Sequence, residues 1–329
     1  MTHSAPAPFD ALDPGAVLTA AESIGIPASG RLFALNSYEN RVYQLGDDDG
    51  GLWVLKFYRP ARWSDAAIHE EHEFTFELAA AELPVAAPLR RHGASLFVHA
   101  GLRFAAFPWM PGRAPELDQR DTLTLLGRTL ARMHAIGNQR RFIHRPSLTI
   151  ERLGDGARAQ VIDSGFVPDA LAAQYARVSE QVIGRVRQSF DGFGAMPRLR
   201  IHGDCHVGNI LWRPTGPLFV DLDDCMSGPR IQDLWMFLSG DADAQQSSWA
   251  AIMEGYEMFG EFDHAELTLV EALRTLRILH HAAWIAHRWL DPAFPRAFPW
   301  FGEARFWERH IADLLEQLAA MDDPPILSR

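Results

Sequence analysis

The spacing of apolar residues changes along the chain from a strand pattern to a helix pattern. In the first hundred residues, short apolar runs alternate with polar turns, which predicts strands in 31–45, 52–58 and 95–107. Apolar residues three to four positions apart predict an inserted helix over Asp65–Glu82 and a short one over Phe9–Ile24. We therefore predict a mostly antiparallel sheet with one inserted helix in this part of the chain.

Beyond residue 113 the pattern is mainly helical. The predicted helices are Leu117–Ile136, Leu171–Phe190, Gly228–Leu238, Ser248–Gly260, Ala265–Leu290 and Glu303–Met321. Between the two patterns, PWMPGR concentrates proline and glycine, which predicts a hinge where a planar base can lie. The sequence thus predicts an α+β protein with an N-terminal lobe (1–108), a hinge (109–113) and a helical C-terminal lobe (114–329).

The stretch Arg200–Asp224 carries the most informative chemistry. Two apolar runs flank a Pro-Thr-Gly turn, which predicts a hairpin that brings Asp204, Asn209 and Asp221 to one end. Two carboxylates and an amide at one rim can hold Mg²⁺ and orient a hydroxyl group. Phosphoryl transfer needs this arrangement, because its catalysis consists mostly of positioning and charge neutralisation on phosphate oxygens.

Lys56 lies in the middle of the predicted strand WVLKFY. A lysine among apolar residues is costly to bury unless an anion meets it. It either belongs to an edge strand with its ammonium in water, or it reaches nucleotide phosphates and is held by a glutamate of the next helix. Glu71 shares a helix face with apolar residues and is the preferred partner, with Glu70 as the alternative.

Composition narrows the classes of function. The net charge of -11 disfavours nucleic-acid binding, which depends on lysine and arginine neutralising phosphates. Cys205 and Cys225 form no disulfide framework or zinc spacing and indicate a reducing compartment. No signal peptide is visible, and histidines interrupt the apolar stretch ILHHAAWIAHRWL, so we expect a cytoplasmic protein without a membrane partner.

Several segments resemble known kinases. HGDCHVGN followed by VDLDD resembles the aminoglycoside phosphotransferase and choline kinase-like superfamily, a branch of the protein-kinase-like fold. Nearly the whole chain resembles the stress response kinase A family of bacterial cytoplasmic Ser/Thr kinases. The further segments that carry this resemblance are NSYENRVYQ, VLKFYRPARW, FIHRP, QDLWMFL and DPAFP. The resemblance implies a protein-kinase-like, two-lobed fold with a small antiparallel-sheet N-lobe and a larger, mainly helical C-lobe.

The resemblance also implies a role for each site residue. Asp204 would be the catalytic base or hydroxyl-orienting acid, and Asn209 would bind Mg²⁺. Asp221 would be a metal ligand that also takes part in catalysis. Lys56, paired with Glu71, would contact the α- and β-phosphates of ATP, and Ser37 would approach the nucleotide. Glu71 and Ser37 are thus expected at the nucleotide site, although Glu71 acts through the lysine.

The sequence departs from protein kinases in three respects. No G-x-G-x-x-G is present, so the loop N-S-Y-E-N must supply side-chain groups to the phosphates. D-L-D replaces D-F-G, and Asp233 follows Asp221 by only twelve positions, which leaves no room for a long activation loop. Asp233 resembles the aspartate that braces the kinase catalytic loop.

Three functions remain open at this point. The first is an ATP- and Mg²⁺-dependent kinase, expected to be a monomer, that phosphorylates Ser/Thr hydroxyls of proteins. The second keeps the fold and transfers phosphate to a small alcohol such as a sugar, amino alcohol or aminoglycoside. The third is a nucleotide-binding regulator without catalysis, which the presence of Lys56, Asp204, Asn209 and Asp221 disfavours.

Overall fold

The structure is a computed structural model that describes residues 8–325. The chain divides into two compact units. The first unit comprises the chain up to Glu116, Phe142–Arg145 and His206–Cys225, and the second comprises Leu117–Arg141, Pro146–Cys205 and the chain from Met226. The predicted boundaries 1–108, 109–113 and 114–329 treat each lobe as a continuous stretch and stay a prediction.

The elements appear in the following order along the chain. The strands are β1 (Ala28–Leu35), β2 (Arg41–Asp47), β3 (Leu52–Phe57), β4 (Phe97–His99), β5 (Leu102–Pro108), β6 (Leu199–Ile201), β7 (Ile210–Arg213), β8 (Gly216–Phe219) and β9 (Met226–Gly228). The α-helices are α1 (Pro14–Ser23), α2 (Asp65–Ala80), α3 (Arg120–Gly137), α4 (Gly156–Ser164), α5 (Asp169–Phe193), α6 (Ala242–Tyr256), α7 (Val270–Arg288), α8 (Ala293–Ala297) and α9 (Ala304–Ala320).

The first unit is built on a five-stranded antiparallel sheet with the order β1-β2-β3-β5-β4. Side chains alternate between the two faces of β3. Leu55 and Phe57 are fully buried in the apolar core that includes α1. Lys56 lies between them in sequence and pairs with Ala105, which packs with Ile68 of α2. The alternation therefore turns the lysine towards the α2 face of the sheet.

Helix α1 begins later than the apolar spacing predicts. Asp13 caps its N-terminus by accepting a hydrogen bond of 2.8 Å from the backbone N–H of Ala16, and Pro14 occupies the first turn. An aspartate cap followed by proline is a favoured helix start, because the proline needs no hydrogen-bond partner there. The prediction of a helix from Phe9 was therefore wrong by about one turn at its beginning.

The hairpin predicted around Pro-Thr-Gly is present as β7 and β8, paired from Ile210–Phe219 to Arg213–Gly216. It joins the segment that follows α2, because Phe219 donates its N–H to Pro84 O (2.8 Å) and accepts from Ala86 N–H (3.0 Å). Both bonds lie within the first unit and hold the end of β8 against residues 84–86.

In the second unit, helices α3 and α6 approach each other closely. A Cβ atom on Gly127 would lie 2.0 Å from the carbonyl oxygen of Ile252, and one on Gly255 would lie 1.8 Å from that of Thr124. Both distances are far below van der Waals contact, so only glycine allows this backbone separation. In the same unit, the short strands β6 and β9 pair in antiparallel orientation, with Leu199 opposite Gly228.

Two regions of the second unit differ from the sequence prediction. The segment predicted as helix over Gly228–Leu238 contains the end of β9 and two 3₁₀ turns, Arg230–Asp233 and Trp235–Phe237. Buried contacts of Asp233, described below, hold the first turn, so tertiary interactions override the apolar spacing here. The sequence also missed α4, which a π-helical turn over Glu151–Asp155 precedes.

Within residues 8–325, none of the helices combines the length and the apolar character that crossing a bilayer requires.

Candidate active site

Lys56 is a buried lysine whose ammonium group meets three carboxylates of the first unit. Its Nζ lies 2.9 Å from Asp221 Oδ1, 3.3 Å from Asp223 Oδ1 and 3.5 Å from Glu71 Oε1. Only 7% of the side chain is exposed. The negative charges compensate for its removal from water. The edge-strand interpretation with a solvated ammonium is therefore wrong.

The two candidate glutamates of α2 have different partners. Glu71 is buried and pairs with Lys56. Glu70 instead accepts hydrogen bonds from three successive backbone N–H groups, those of Ile143 (2.7 Å), His144 (2.7 Å) and Arg145 (2.8 Å). The structure thus resolves the alternative in favour of Glu71, and Glu70 orders the FIHRP loop.

The β7–β8 hairpin brings Asn209 and Asp221 to the same end. The N–H of Val220 donates to the carbonyl oxygen of Asn209 over 3.0 Å, and Asp221 follows immediately. Asp221 has φ +56° and ψ +64°, a left-handed conformation that costs a non-glycine residue on the order of 1–3 kcal/mol. Its side chain is 52% exposed, so the carboxylate is both anchored by Lys56 and open to solvent.

Asp223 is the central anion of a second, buried cluster. Its Oδ2 accepts a hydrogen bond from Asn40 Nδ2 (3.1 Å) and forms an ion pair with Arg62 Nη1. Arg62 also pairs with Asp224 Oδ1 at 2.6 Å. The cluster connects the D-L-D-D turn to the turn between β1 and β2 and to the chain after β3. The sequence analysis missed Asn40 and Arg62, whose partners are distant in sequence.

The turn that contains Ser37 is held by Arg59. The guanidinium group donates to the carbonyl oxygens of Glu39 (2.8 Å) and Tyr38 (3.0 Å), and the N–H of Arg59 donates to Asn40 Oδ1 (3.1 Å). The side-chain and backbone bonds fix a turn that has no glycine-rich motif. Ser37 is half-buried within it, and its approach to the nucleotide stays a prediction.

Arg145 of the FIHRP loop is a further residue that the sequence analysis missed. Its Nε donates to the carbonyl oxygen of Cys225 over 2.9 Å, and its Nη2 donates to that of Asp223. The guanidinium lies 4.1 Å from the ring centroid of Trp63. The arginine therefore fixes the backbone of the turn that carries Asp221 and Asp223.

Asp204 lies in the second unit, in the loop that follows β6. Asp233 holds the start of this loop, because its Oδ2 accepts from the N–H of His202 (2.7 Å) and its Oδ1 from that of Gly203 (2.8 Å). Asp233 is fully buried and also lies 3.3 Å from His134 Nε2. Gln232 Nε2 donates to Gly203 O over 2.9 Å. Asp233 thus braces the loop, as the resemblance implied.

The carboxylate of Asp204 forms an ion pair with Arg277 of α7. The two side chains are 27% and 43% exposed, respectively, so water reaches both. Nothing in the sequence spacing indicates this contact, because 73 positions separate the two residues.

Comparison with known proteins is decisive at this point. Residues 32–270 match the phosphotransferase enzyme family. Stress response kinase A of Escherichia coli (strain K12) is 43% identical over 319 residues, which cover 97% of this chain and 96% of that protein. Serine/threonine protein kinase RdoA of Salmonella typhimurium (strain LT2) is 43% identical over 318 residues with the same coverage. The chain belongs to the phosphotransferase enzyme family, in the stress response kinase A group.

Solved structures agree with this phosphotransferase fold. Amicoumacin kinase in complex with AMP-PNP, Ca²⁺ and its ligand superposes with a TM-score of 0.74 at 20% identity, covering 96% of this chain and 95% of that one. A microcompartment-associated aminopropanol kinase superposes with a TM-score of 0.65 at 21% identity, covering 91% and 98%. The predicted α+β, kinase-like fold is confirmed, and the chain is an ATP-dependent phosphotransferase.

The side chains of the phosphotransferase fit a divalent cation whose remaining ligands are phosphate oxygens and water. Among residues 8–325 no group of three or more His, Cys, Asp and Glu side chains forms a metal site by itself. Asn209 and Asp221 offer an amide and a carboxylate from adjacent positions of the hairpin. Mg²⁺ is usually held by one or two such side chains together with substrate phosphates and water. The pair therefore suits a cation that arrives with ATP.

Electrostatics keep the phosphotransferase lysine charged. Burial alone would lower the pKa of Lys56, but Asp221, Asp223 and Glu71 together raise it well above its ordinary value. Burial raises the pKa of Glu71 to about 7, against the attraction of Lys56 and with added repulsion from Asp223. For Asp223, burial is outweighed by Arg62, Lys56 and Arg145, which lower its pKa well below the ordinary value.

The two cysteines of the phosphotransferase are fully buried. Burial raises the pKa of Cys205 well above its ordinary value, and repulsion by Asp233 and Asp204 adds to this. Burial raises the pKa of Cys225 to about 12 despite the nearby Arg145. Because the thiolate is the reactive form, neither thiol is a nucleophile at neutral pH.

Proposed function

We propose that this phosphotransferase is a Mg²⁺-dependent protein kinase that transfers the γ-phosphate of ATP to Ser/Thr hydroxyl groups. The proposal rests on the contacts of Lys56. Its ammonium group pairs both with Glu71 of α2 and with Asp221, which follows β8. Kinases use such a lysine for the phosphates and such an aspartate for the metal. We infer the Ser/Thr specificity from the names of relatives that are 43% identical over nearly their whole length.

On the nucleotide side, Lys56 binds the α- and β-phosphates, and Glu71 holds the ammonium in place. Asn209 and Asp221 would hold Mg²⁺ together with phosphate oxygens, and the cation would supply neutralisation of the charge that develops during transfer. Ser37 supports the phosphates from the turn between β1 and β2. The strained backbone of Asp221 is consistent with this role, because strain tends to occur at functional positions that the surroundings fix.

On the acceptor side, Asp204 orients the attacking hydroxyl and accepts its proton. The hydroxyl oxygen forms a bond to the γ-phosphorus while the bond from that phosphorus to the β–γ bridging oxygen breaks. ADP leaves with the electron pair of the broken bond, and the proton passes to the carboxylate. Asp233 contributes by fixing the backbone of His202 and Gly203, just before Asp204.

A small alcohol is the alternative acceptor. Proteins with the same fold are named as kinases of amicoumacin and aminopropanol, which are small molecules. Those proteins are only 20% and 21% identical to this chain, so they inform the fold and not the acceptor. The more similar relatives favour protein acceptors.

The acceptor class can be tested with the purified full chain, Mg²⁺ and γ-³²P-labelled ATP. We expect label in Ser/Thr residues of protein acceptors such as casein and of a proteome extract freed of kinase activity by heating. A panel of amino alcohols, sugars and aminoglycosides serves as the comparison. Efficient labelling of a small compound and none of protein would contradict the protein-kinase proposal. Thermal stabilisation by ATP without any transfer would favour the regulator.

Glu71 provides a test through pH. Because the pKa of Glu71 is about 7, its carboxylate gains a proton as the pH falls below this value. Lys56 then loses one of its partners, so we expect kcat/KM for ATP to fall with the fraction of ionised Glu71. Glu71→Gln removes the titrating group, and its kcat/KM should lack the step near pH 7. An unchanged step in Glu71→Gln would assign the titration to another group.

The remaining expectations complete the proposal. The names of the relatives associate them with the stress response, and we extend this role to the present chain. We further propose a cytoplasmic monomer whose partners are ATP and protein substrates. Size-exclusion chromatography with light scattering would test the monomeric state.

A further inference from the structure

The acceptor side of the second unit carries a positive charge. Arg277 contacts Oδ1 of Asp204, the carboxylate to which we assign the acceptor hydroxyl. Phosphoryl transfer itself needs an aspartate at this place but no arginine on the acceptor side. The contact therefore needs another explanation, either in the folded stability of the unit or in the recognition of the acceptor.

Stability does not account for the pair. With 43% of Arg277 and 27% of Asp204 exposed, both charges remain hydrated. Pairs of this kind contribute little to folding, because Coulomb attraction is weak in water and two long side chains lose freedom. For the same reason the pair can open at low cost. The guanidinium can then turn to another anion while Asp204 receives the hydroxyl.

His281, one helical turn after Arg277 on α7, faces the same two charges. Neighbouring protein atoms desolvate its ring, and Arg277 repels the protonated form, so that the pKa of His281 lies below its ordinary value despite the attraction of Asp204. This shift disfavours the charged form of His281. The other two members of the cluster are the carboxylate of Asp204 and the guanidinium of Arg277.

We propose that Arg277 is a specificity-determining residue that binds an anionic group next to the acceptor hydroxyl. The kinase would then prefer Ser/Thr residues flanked by Asp or Glu. An arginine is suited to this task, because its guanidinium forms two parallel hydrogen bonds with a carboxylate. A cationic acceptor would instead be repelled by it. The inference rests on the proposed role of Asp204 and specifies which protein segments the enzyme accepts.

The proposal is tested with three peptides that share one serine and differ in the flanking residues, which are Asp, Ala or Lys. We expect the native enzyme to phosphorylate the acidic peptide with the highest kcat/KM. Arg277→Gln should reduce the preference for Asp over Lys by about tenfold, since one charge-assisted contact is lost. Arg277→Lys keeps the charge and should retain most of the preference, which a purely structural role would not predict.

Arg309→Gln is the matched control. Arg309 forms a comparable ion pair with Asp313 of the same helix, with 2.7 Å between Nε and Oδ1, and it is 68% exposed. This variant should keep the native preference. Equal kcat/KM for the three peptides in the native enzyme, or an unchanged preference in Arg277→Gln, would overturn the proposal.

A binding measurement separates this inference from the proposed function. A fluorescent acidic peptide with alanine in place of serine is titrated into the enzyme with Mg²⁺ and AMP-PNP, and anisotropy gives Kd. We expect Kd to rise about tenfold in Arg277→Gln and to stay constant in Arg309→Gln. No phosphorylated peptide in the transfer assay would count against the protein-kinase proposal alone. Absent binding, or equal Kd in the native enzyme and Arg277→Gln, would count against the role of Arg277.

Discussion

Asp204→Asn is expected to fold normally and to lose phosphotransfer by roughly a hundred- to ten-thousand-fold in kcat, the usual contribution of a positioned acid–base group. The amide keeps the shape of the side chain and can still accept a hydrogen bond from Arg277. It cannot take the proton of the attacking hydroxyl. Initial rates of ³²P transfer at saturating ATP measure the effect.

Folding and nucleotide binding serve as controls for this variant. The ion pair of Asp204 with Arg277 is partly exposed, so its loss should change the free energy of unfolding by no more than about 1 kcal/mol. Asn209, Asp221 and Lys56 are unaltered, and ATP should therefore stabilise the variant thermally as it does the native enzyme. A rate within threefold of native would remove Asp204 from the mechanism.

Asp223→Asn is expected to lower the free energy of unfolding by about 3–5 kcal/mol, the cost of breaking a buried ion pair from one side. The substitution removes the negative charge that Arg62 and Lys56 share, while both cations stay buried. Arg62 keeps Asp224 at 2.6 Å and Glu39 at 3.6 Å, which places the expected value at the lower end of this range. Urea unfolding monitored by tryptophan fluorescence provides the measurement.

The neighbouring Asp224→Asn is the matched control. Asp224 pairs with the same arginine, but its side chain is 35% exposed and it does not contact Lys56 among the described ion pairs. We expect it to cost less than about 1 kcal/mol. Comparable losses in the two variants would show that the burial of Asp223 is not what makes its charge important.

The pH dependence of the Asp223 variant has a defined sign. The pKa of Asp223 in the folded chain is well below that of an unfolded aspartate, about 3.9. Its ionised form therefore stabilises the folded state at pH values above the unfolded pKa. This contribution decreases as the pH falls below about 4 and through the folded pKa. The difference in unfolding free energy between native and Asp223→Asn should thus shrink as the pH falls below about 4. Near pH 7 the difference should also change, because Asp223 raises the pKa of Glu71 and the variant lacks this repulsion.

The two clusters suggest how the enzyme replaces standard kinase elements. A glycine-rich loop is absent, and Arg59 and Asn40 hold the corresponding turn through side-chain bonds. The glycine of D-F-G is absent too, and Asp223 occupies its position in the D-L-D turn. Asp223 ties that turn to Asn40 and Lys56. Side-chain hydrogen bonds and ion pairs therefore fix the two turns that contain glycine in other kinases.

Local patterns were sufficient where a residue's role depends on its own segment. The apolar run WVLKFY predicted a strand with Lys56 in its middle, and the apolar runs around Pro-Thr-Gly predicted the β7–β8 hairpin. The sequence also favoured Glu71 over Glu70, because Glu71 shares a helix face with Phe74 and Leu78. Failures occurred where a segment is held from outside, as in Gly228–Leu238, whose 3₁₀ turns include the buried Asp233.

The sequence by itself determined the family, the antiparallel sheet, the hairpin and the identity of the residues proposed for ATP, Mg²⁺ and the hydroxyl. The sheet and the hairpin follow from periodicity, and the family and the residue roles follow from the resemblance of several short motifs to known kinases. Only the tertiary structure decided which charges meet. The partners Asn40 and Asp223 are 183 positions apart, and Asp204 and Arg277 are 73 apart. No local pattern encodes such pairs, because they form only when the folded core brings distant segments together and burial or exposure sets the strength of each charge.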